Sequence, residues 1–264
     1  MPELPDVDAV KRRIERKIKG KKIKDVKIYD KKLIRWVSLS TFEKTVKGNT
    51  IVSVDRRGKF LIFNLKSGDS MVGHLKMTGD FRYLRTKEKR DKYDKIILNL
   101  NDKHDLRYFS KRRLGMLTVA RGKNFWHIPT LKNMGPEPLD NKFTFEVFKK
   151  ILKGRKREIK PLLLDQSFIA GIGNVYADEI LFHSRINPKR KVSGLSEKNK
   201  KDMFKYIKSI LGYAVKHYRL MPLRRDFIIN HREEGTPCPR CKTPLKRVVI
   251  ASRSAYFCPR CQNR

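Results

Sequence analysis

The residues best placed to do chemistry stand at the start of the chain, Met1-Pro2-Glu3-Leu4-Pro5-Asp6. Once Met1 is removed, Pro2 presents a secondary amine with the carboxylate of Glu3 beside it. An α-amine has a reference pKa of about 8 against about 10.4 for lysine, so at neutral pH roughly a tenth of it is neutral and nucleophilic, against well under about a thousandth of a lysine. Attack by such an amine on the C1′ of a deoxyribose gives an iminium and splits one hard step into two easier ones. Glu3 could then carry protons to and from the opening sugar. The same residues also fit an ordinary helix start. Pro5 suits a first turn, Asp6 and Asp8 complement the positive end of the dipole, and Val7, Val10, Ile14 and Ile18 form one apolar stripe.

The second chemical constellation lies at the other end. Cys238-Pro239-Arg240-Cys241 and Cys258-Pro259-Arg260-Cys261 give C-x2-C-x16-C-x2-C, the spacing of a four-cysteine zinc ribbon. Cys238, Cys241, Cys258 and Cys261 are the only cysteines, and four thiolates leave no open position. The expectation is one structural Zn2+ that supplies folding energy to a segment too small for its own core. Two disulfides are the alternative, suited to an oxidising compartment. Between the knuckles, Leu245 to Ile250 and Ala255 to Phe257 read as a hairpin with Arg253 at or near its tip, where a guanidinium could clamp a phosphate. The six histidines are scattered without ligand spacing.

Three further segments combine suggestive residue types. Ala170-Gly171-Ile172-Gly173-Asn174-Val175-Tyr176 places glycines before an apolar helix, so its backbone N–H groups could bind a phosphate; it is equally a plain helix connection. His74-Leu75-Lys76-Met77-Thr78-Gly79 and Lys111-Arg112-Arg113-Leu114-Gly115 each set one apolar side chain, Met77 or Leu114, among cations. That is the composition of a wedge into a base stack, and also of a loop touching down on its own core.

The elements that must position these residues follow from periodicity. Residues 22 to 121 alternate in the strand manner, as in Ile51 to Val54, Phe60 to Leu65 and Ile96 to Leu100, with turns at Arg57-Gly58, Ser67 to Asp69 and Asn101-Asp102. Asn133 to Asp140, with Gly135, Pro136 and Pro138, reads as a linker. From Phe143 the period is helical, with Phe145, Phe148, Ile151 and Leu152 on one face and Phe204, Ile207, Leu211 and Ala214 on another. The expected domains are therefore residues 1–132, mostly β; a linker, 133–140; a helical region, 141–230; and the ribbon, 231–264. Lys and Arg number 64 against 27 acidic residues, a net charge of +37. Such a surplus predicts a polyanionic partner and salt-sensitive binding. With no signal peptide and no apolar run of membrane-spanning length, the expectation is a cytoplasmic protein, nucleoid-associated if the source is prokaryotic, with no membrane partner.

Six ordered motifs carry a resemblance over the whole chain: Pro2 to Val7, Arg57 to Leu61, His74 to Gly79, Met134-Gly135-Pro136-Glu137-Pro138-Leu139, Leu163-Leu164-Asp165-Gln166 through Phe182, and the terminal cysteines. In this order they resemble the formamidopyrimidine-DNA glycosylase and endonuclease VIII family. The Pro-Glu-Leu-Pro opening points to its formamidopyrimidine branch. The resemblance implies an α+β fold: an N-terminal helix on an antiparallel β-sandwich, then a helix-two-turn-helix domain with a C-terminal zinc ribbon. It implies a monomeric base-excision-repair enzyme that removes oxidised or ring-opened bases from double-stranded DNA and cleaves abasic sites by β,δ-elimination. Pro2 would be the nucleophile and Glu3 its acid/base partner, with Lys59 counted beside this catalytic pair. Lys59, His74, Asn174 and Arg253 would grip phosphates flanking the lesion, and Met77, Arg112 and Leu114 would fill the space left by the extruded nucleotide. Extrusion is required because C1′ is inaccessible inside a duplex.

Three departures bear on this. Asp6 stands where the branch usually has Glu, Leu114 replaces the usual phenylalanine, and only residues 228 to 237 separate Arg225-Asp226-Phe227 from Cys238. The family normally carries there a longer loop that covers oxidised purines, so formamidopyrimidines, hydantoins and oxidised pyrimidines are expected ahead of 8-oxoguanine. The rival reading is a non-catalytic zinc-ribbon protein that binds DNA or RNA.

Overall fold

A computed structural model describes residues 1–218 and 225–262. The expected helical region and ribbon therefore each contain residues, 219–224 and 263–264, that lie outside the described ones. The chain separates into two compact units, residues 1–2 with 6–133 and residues 3–5 with 134–264.

The first unit contains α1 (Leu4–Ile18) from Asp6 onward. Asp6 stands in its first turn and Arg16 and Lys17 in its last, as the helix dipole favours. The expected stripe is its buried face, with Val7, Ile14 and Ile18 buried and Val10 partly so. Then come β1 (Ile23–Ile28), α2 (Leu39–Val46), β2 (Ile51–Arg57), β3 (Phe60–Leu65), β4 (Ser70–His74), β5 (Gly79–Arg85), β6 (Asp94–Leu100), β7 (His104–Ser110), β8 (Met116–Ala120) and the short α3 (Pro129–Lys132). The strands form two four-stranded antiparallel sheets, ordered β1-β6-β7-β5 and β2-β3-β4-β8. Both sheets contribute to one core; Phe63 and Phe81, one from each, meet with ring centroids 4.9 Å apart. Every residue of β3 and β4 is buried, which is why Phe60 to Leu65 is a nearly unbroken apolar run.

The strand-like reading of residues 22 to 121 missed α2. Ser38 caps it by accepting the Thr41 N–H at 3.0 Å, and Phe42 and Val46, four apart, are buried on one face. The helix packs against β8, an edge strand that is also covered where Arg35 N–H donates to the Leu117 carbonyl.

The second unit contains α4 (Phe145–Leu152), α5 (Ile159–Leu164), α6 (Asn174–His183), α7 (Glu197–Lys216) and the hairpin β9 (Lys246–Ile250) with β10 (Arg253–Phe257). Its main core joins Phe143 and Phe148 to Ile207 and Leu211. A separate small core of Phe182, Ile228, Leu245, Cys238 and Cys258 lies under the ribbon. Nearly all of α6 is buried, so its apolar residues surround the helix rather than striping it.

Candidate active site and nucleic-acid interface

Glu3 is 3% exposed, and its carboxylate is held by backbone of the second unit. The N–H groups of Gly173 and Val175 donate to its two oxygens at 2.8 Å each, and that of Tyr176 adds a third bond at 3.2 Å. These amides open α6, where unsatisfied donors and the helix dipole both favour an anion. The phosphate expected at the Ala170-to-Tyr176 turn is thus replaced by the chain's own carboxylate, because Glu3 already occupies the donors. Both glycines of the turn are needed for this. A Cβ on Gly173 would lie 2.3 Å from Glu3 Cδ, and one on Gly171, at φ +84°, would lie 2.7 Å from Leu4 Cδ1. Leu4 N–H also donates to the Gly171 carbonyl at 3.0 Å, so two successive residues of the N-terminus are seated here. Gln166 braces the turn from behind: its Oε1 accepts from Gly171 N–H, and its Nε2 donates to Ile172 O. Pro2, joined directly to this anchored residue, is half-buried.

In the first unit, Lys59 sits in the β2–β3 turn and is 5% exposed. His74 ends β4, paired in register with Phe60, whose ring meets it edge-on at 4.5 Å. Its Nδ1 accepts the Lys76 N–H at 2.9 Å. Burial, with the charges of Lys76 and Lys59, lowers the His74 pKa to about 3. The imidazole is therefore neutral at physiological pH, and with Nδ1 an acceptor it carries its proton on Nε2.

Met77 and Leu114 are 41% and 42% exposed, so neither is a loop residue folded onto the core. Their loops are joined, since Arg112 N–H donates to Thr78 Oγ1 at 3.0 Å, and Arg113 pairs with Asp30. That pairing holds the Asp30 carboxyl below its usual range. Tyr108 fixes the same region by donating its hydroxyl to the His74 carbonyl at 3.0 Å. Met77, Arg112 and Leu114 thus project from one braced pair of loops.

Arg253 begins β10, opposite Ile250, after the tight turn at Ala251 and Ser252; it is exposed at the hairpin tip, where the sequence placed it. The carbonyl of its neighbour Ser254 accepts from Asn174 Nδ2 at 3.0 Å and from Lys160 Nζ at 2.6 Å. Lys160, on α5, is fully buried and also donates to Asp178 of α6 at 2.6 Å. Asp178 accepts further from Arg232 at 2.8 Å and from the Tyr256 N–H at 3.2 Å. Burial pushes the Lys160 pKa down and the Asp178 pKa up, and each charge opposes the other's shift. Sequence reading missed this network. Its signal was charge inside two otherwise apolar helices, Lys160 before Leu162-Leu163-Leu164, and Asp178 with Glu179 before Ile180-Leu181-Phe182. Asn174 has one amide hydrogen committed to the hairpin and a second for another acceptor.

The four cysteine sulfurs lie within 4.8 Å of one another, Cys238 and Cys258 buried, Cys241 and Cys261 half-buried. Four thiolates at that separation suit a tetrahedral Zn2+. The Cys261 N–H points at Cys258 Sγ, 3.3 Å away, as a thiolate requires. Gln262 ties the second knuckle to the helical unit, accepting from Cys258 N–H and donating to Ile186 O, both at 2.9 Å.

The class is set by this build: a β-sandwich unit followed by a helical unit that ends in a zinc ribbon. Three family models match in the same order: the formamidopyrimidine-DNA glycosylase N-terminal domain over residues 1–117, the H2TH domain of that glycosylase over 134–220, and the zinc finger found in FPG and IleRS over 235–264. The formamidopyrimidine-DNA glycosylase of Pelotomaculum thermopropionicum is 36% identical over 274 residues, covering 99% of each chain. Among solved structures, MutM (Fpg) of Thermus thermophilus superposes with a TM-score of 0.87 at 34% identity, covering 100% of this chain and 99% of that one. Lactococcus lactis Fpg in complex with DNA containing an abasic site gives 0.90 at 28% identity, covering 99% and 100%. The chain belongs to the formamidopyrimidine-DNA glycosylase family. Among the described residues, no helix is long and apolar enough to cross a membrane.

Proposed function

We propose that this protein is a base-excision DNA glycosylase and AP lyase whose nucleophile is the amine of Pro2. The observation that carries the proposal is the carboxylate of Glu3, held by three backbone donors in the residue next to the N-terminal proline. A side chain fixed in this way has a defined position from which to shuttle protons, and through the peptide bond it limits where the Pro2 nitrogen can go. The Lactococcus relative was captured on DNA with an abasic site, the intermediate such an enzyme makes and consumes.

With Met1 in place the proline nitrogen is an amide; removal of Met1 frees the amine. Its lone pair attacks C1′ while the damaged base departs with the bonding electrons and takes up a proton. Glu3 takes the proton that the amine loses on bonding to C1′ and delivers it to the sugar's ring oxygen, whose departure leaves an iminium joining Pro2 to C1′. Removal of a C2′ proton then expels the 3′ phosphate, and a second elimination expels the 5′ phosphate; hydrolysis of the iminium returns the amine. The remaining roles are binding. Lys59 and His74 in the first unit and Asn174 and Arg253 in the second take phosphates, while Met77, Arg112 and Leu114 fill the emptied stack at a cost of a few kcal/mol that the damaged base lowers. Neutral His74 contributes a directional N–H rather than a charge. The short segment after Phe227 supports ring-opened purines, hydantoins and oxidised pyrimidines as substrates ahead of 8-oxoguanine.

The test is a panel of single-lesion duplexes incubated with wild type and Glu3→Gln. Expected is base release from the formamidopyrimidine duplex by wild type, slowed by about a hundredfold or more in the variant, the scale of a general acid/base contribution. Binding of all duplexes without release of any base would instead support the non-catalytic reading.

A further inference from the structure

Away from the residues gathered above, the second unit contains a cavity of about 580 Å3 with a cationic wall. Lys149, Lys150, Lys153, Arg155, Lys156 and Lys200 line it, with Glu146 as the one lining carboxylate among the described residues. Glu197 draws off part of this charge, lying 3.8 Å from Lys149 and 2.7 Å from Lys200. Among the described residues, no carboxylate pairs with Lys150, Lys153, Arg155 or Lys156. Four cations without a carboxylate partner are left lining one concavity, Arg155 spending one N–H on the Ile151 carbonyl at 3.4 Å.

The wall is built from well-tied backbone. The end of α4 is closed by Lys153 N–H, which donates to the carbonyls of Lys149 and Lys150, so those carbonyls are occupied and do not oppose an incoming anion. The chain reverses through Gly154, at φ +76°. The opposite wall is stitched on by Val192 N–H to Arg157 O at 3.1 Å and Ile159 N–H to Arg190 O at 2.9 Å. Buried Leu152 and Val192 form the floor. Among the described residues no aromatic one lines the cavity, so they offer nothing on which a base could stack. It offers charge in a fixed concave frame, which suits phosphate oxygens and is indifferent to bases.

We infer that this cavity is a second phosphate-backbone site, taking consecutive phosphodiesters of nucleic acid outside the stretch that carries the lesion. The inference rests on the DNA partner of the proposed function, and its readout is binding rather than base release, so the two can fail separately.

The test uses the full chain and the triple variant Lys150→Gln, Lys153→Gln, Lys156→Gln. The control is Lys19→Gln, Lys24→Gln, Lys27→Gln, which removes the same charge from exposed positions that do not line this cavity. Binding to duplexes of about 13 and about 40 base pairs, each with a stable abasic-site analogue, is followed against salt. On the longer duplex the cavity variant should lose about 2 to 3 from the slope of log K against log salt, near 0.9 per phosphate contact, and bind about tenfold more weakly at physiological salt. On the short duplex it should match wild type. Equal losses in the control, or an unchanged long-duplex slope, would overturn the inference. Short linear inorganic polyphosphate is the second probe. Polyphosphate binding that disappears in the cavity variant while long-duplex affinity stays unchanged would assign the cavity to free polyphosphate and overturn the backbone assignment.

Discussion

Pro2 is reactive only as a free amine, and Glu3 is useful only if its position is fixed, so the site depends on atoms that contribute no charge of their own. Gly173 is one of them. A Gly173→Ala change should cost about 1–3 kcal/mol of stability, the usual toll of a steric conflict at a buried site. It should also lower base excision more than abasic-site binding, which thermal melts and parallel excision and binding assays would resolve. His74 makes a different prediction. A histidine whose folded pKa lies below its ordinary value of about 6.5 binds a proton more readily when unfolded. Stability is therefore intact above pH 6.5 and falls as the pH drops toward the folded value of about 3. Replacement by Gln should flatten this loss in acid denaturation curves. Because the neutral ring adds no charge, His74→Gln should leave the salt slope of DNA binding unchanged, whereas Lys59→Gln should reduce it by about 0.9.

Among the elements, the two joined loops and the ribbon hairpin carry the side chains proposed to face the nucleic acid. Replacing Thr78 with Val removes the acceptor of the Arg112 N–H. It should cost about 1 kcal/mol and speed hydrogen exchange at that amide, while the β-sandwich core stays protected. Breaking the buried Lys160–Asp178 pair by Lys160→Met should be far more costly, about 3–5 kcal/mol, since it strips one partner from a buried charge. How much of this was legible follows from which interactions are local. The strands at Ile51, Phe60 and Ile96, the apolar face of α4 and the place of Arg253 in a two-knuckle hairpin all follow from period and spacing over a few residues. The exposure of Met77 and Leu114 could be read only as one of two outcomes. The α2 helix was hidden because Phe42 and Val46 fit either period in so short a segment. The seating of Glu3 was not legible at all: its donors lie 170 residues away, and a Gly-x-Gly turn looks the same whether its anion is a ligand or a side chain.

At the scale of the molecule, a net charge of +37 and a ribbon whose small core is two cysteines and Leu245 packed on Phe182 and Ile228 make function depend on salt and on metal. Stripping zinc with a strong chelator should unfold the hairpin and weaken binding to abasic-site DNA by about tenfold or more, the worth of a lost charge-assisted contact at Arg253. The helical core around Phe148 and Leu211 contains no cysteine, so circular dichroism should retain most of its helical signal. All of these supports converge on one nitrogen. The most direct measurement is borohydride reduction of the mature protein mixed with an abasic-site duplex, followed by mass mapping of the adduct. The account predicts a covalent complex with the sugar remnant on Pro2, slowed in Pro2→Gly, which keeps an amine but loses the ring. An adduct on a lysine side chain, or none from a protein shown to begin at Pro2, would contradict it.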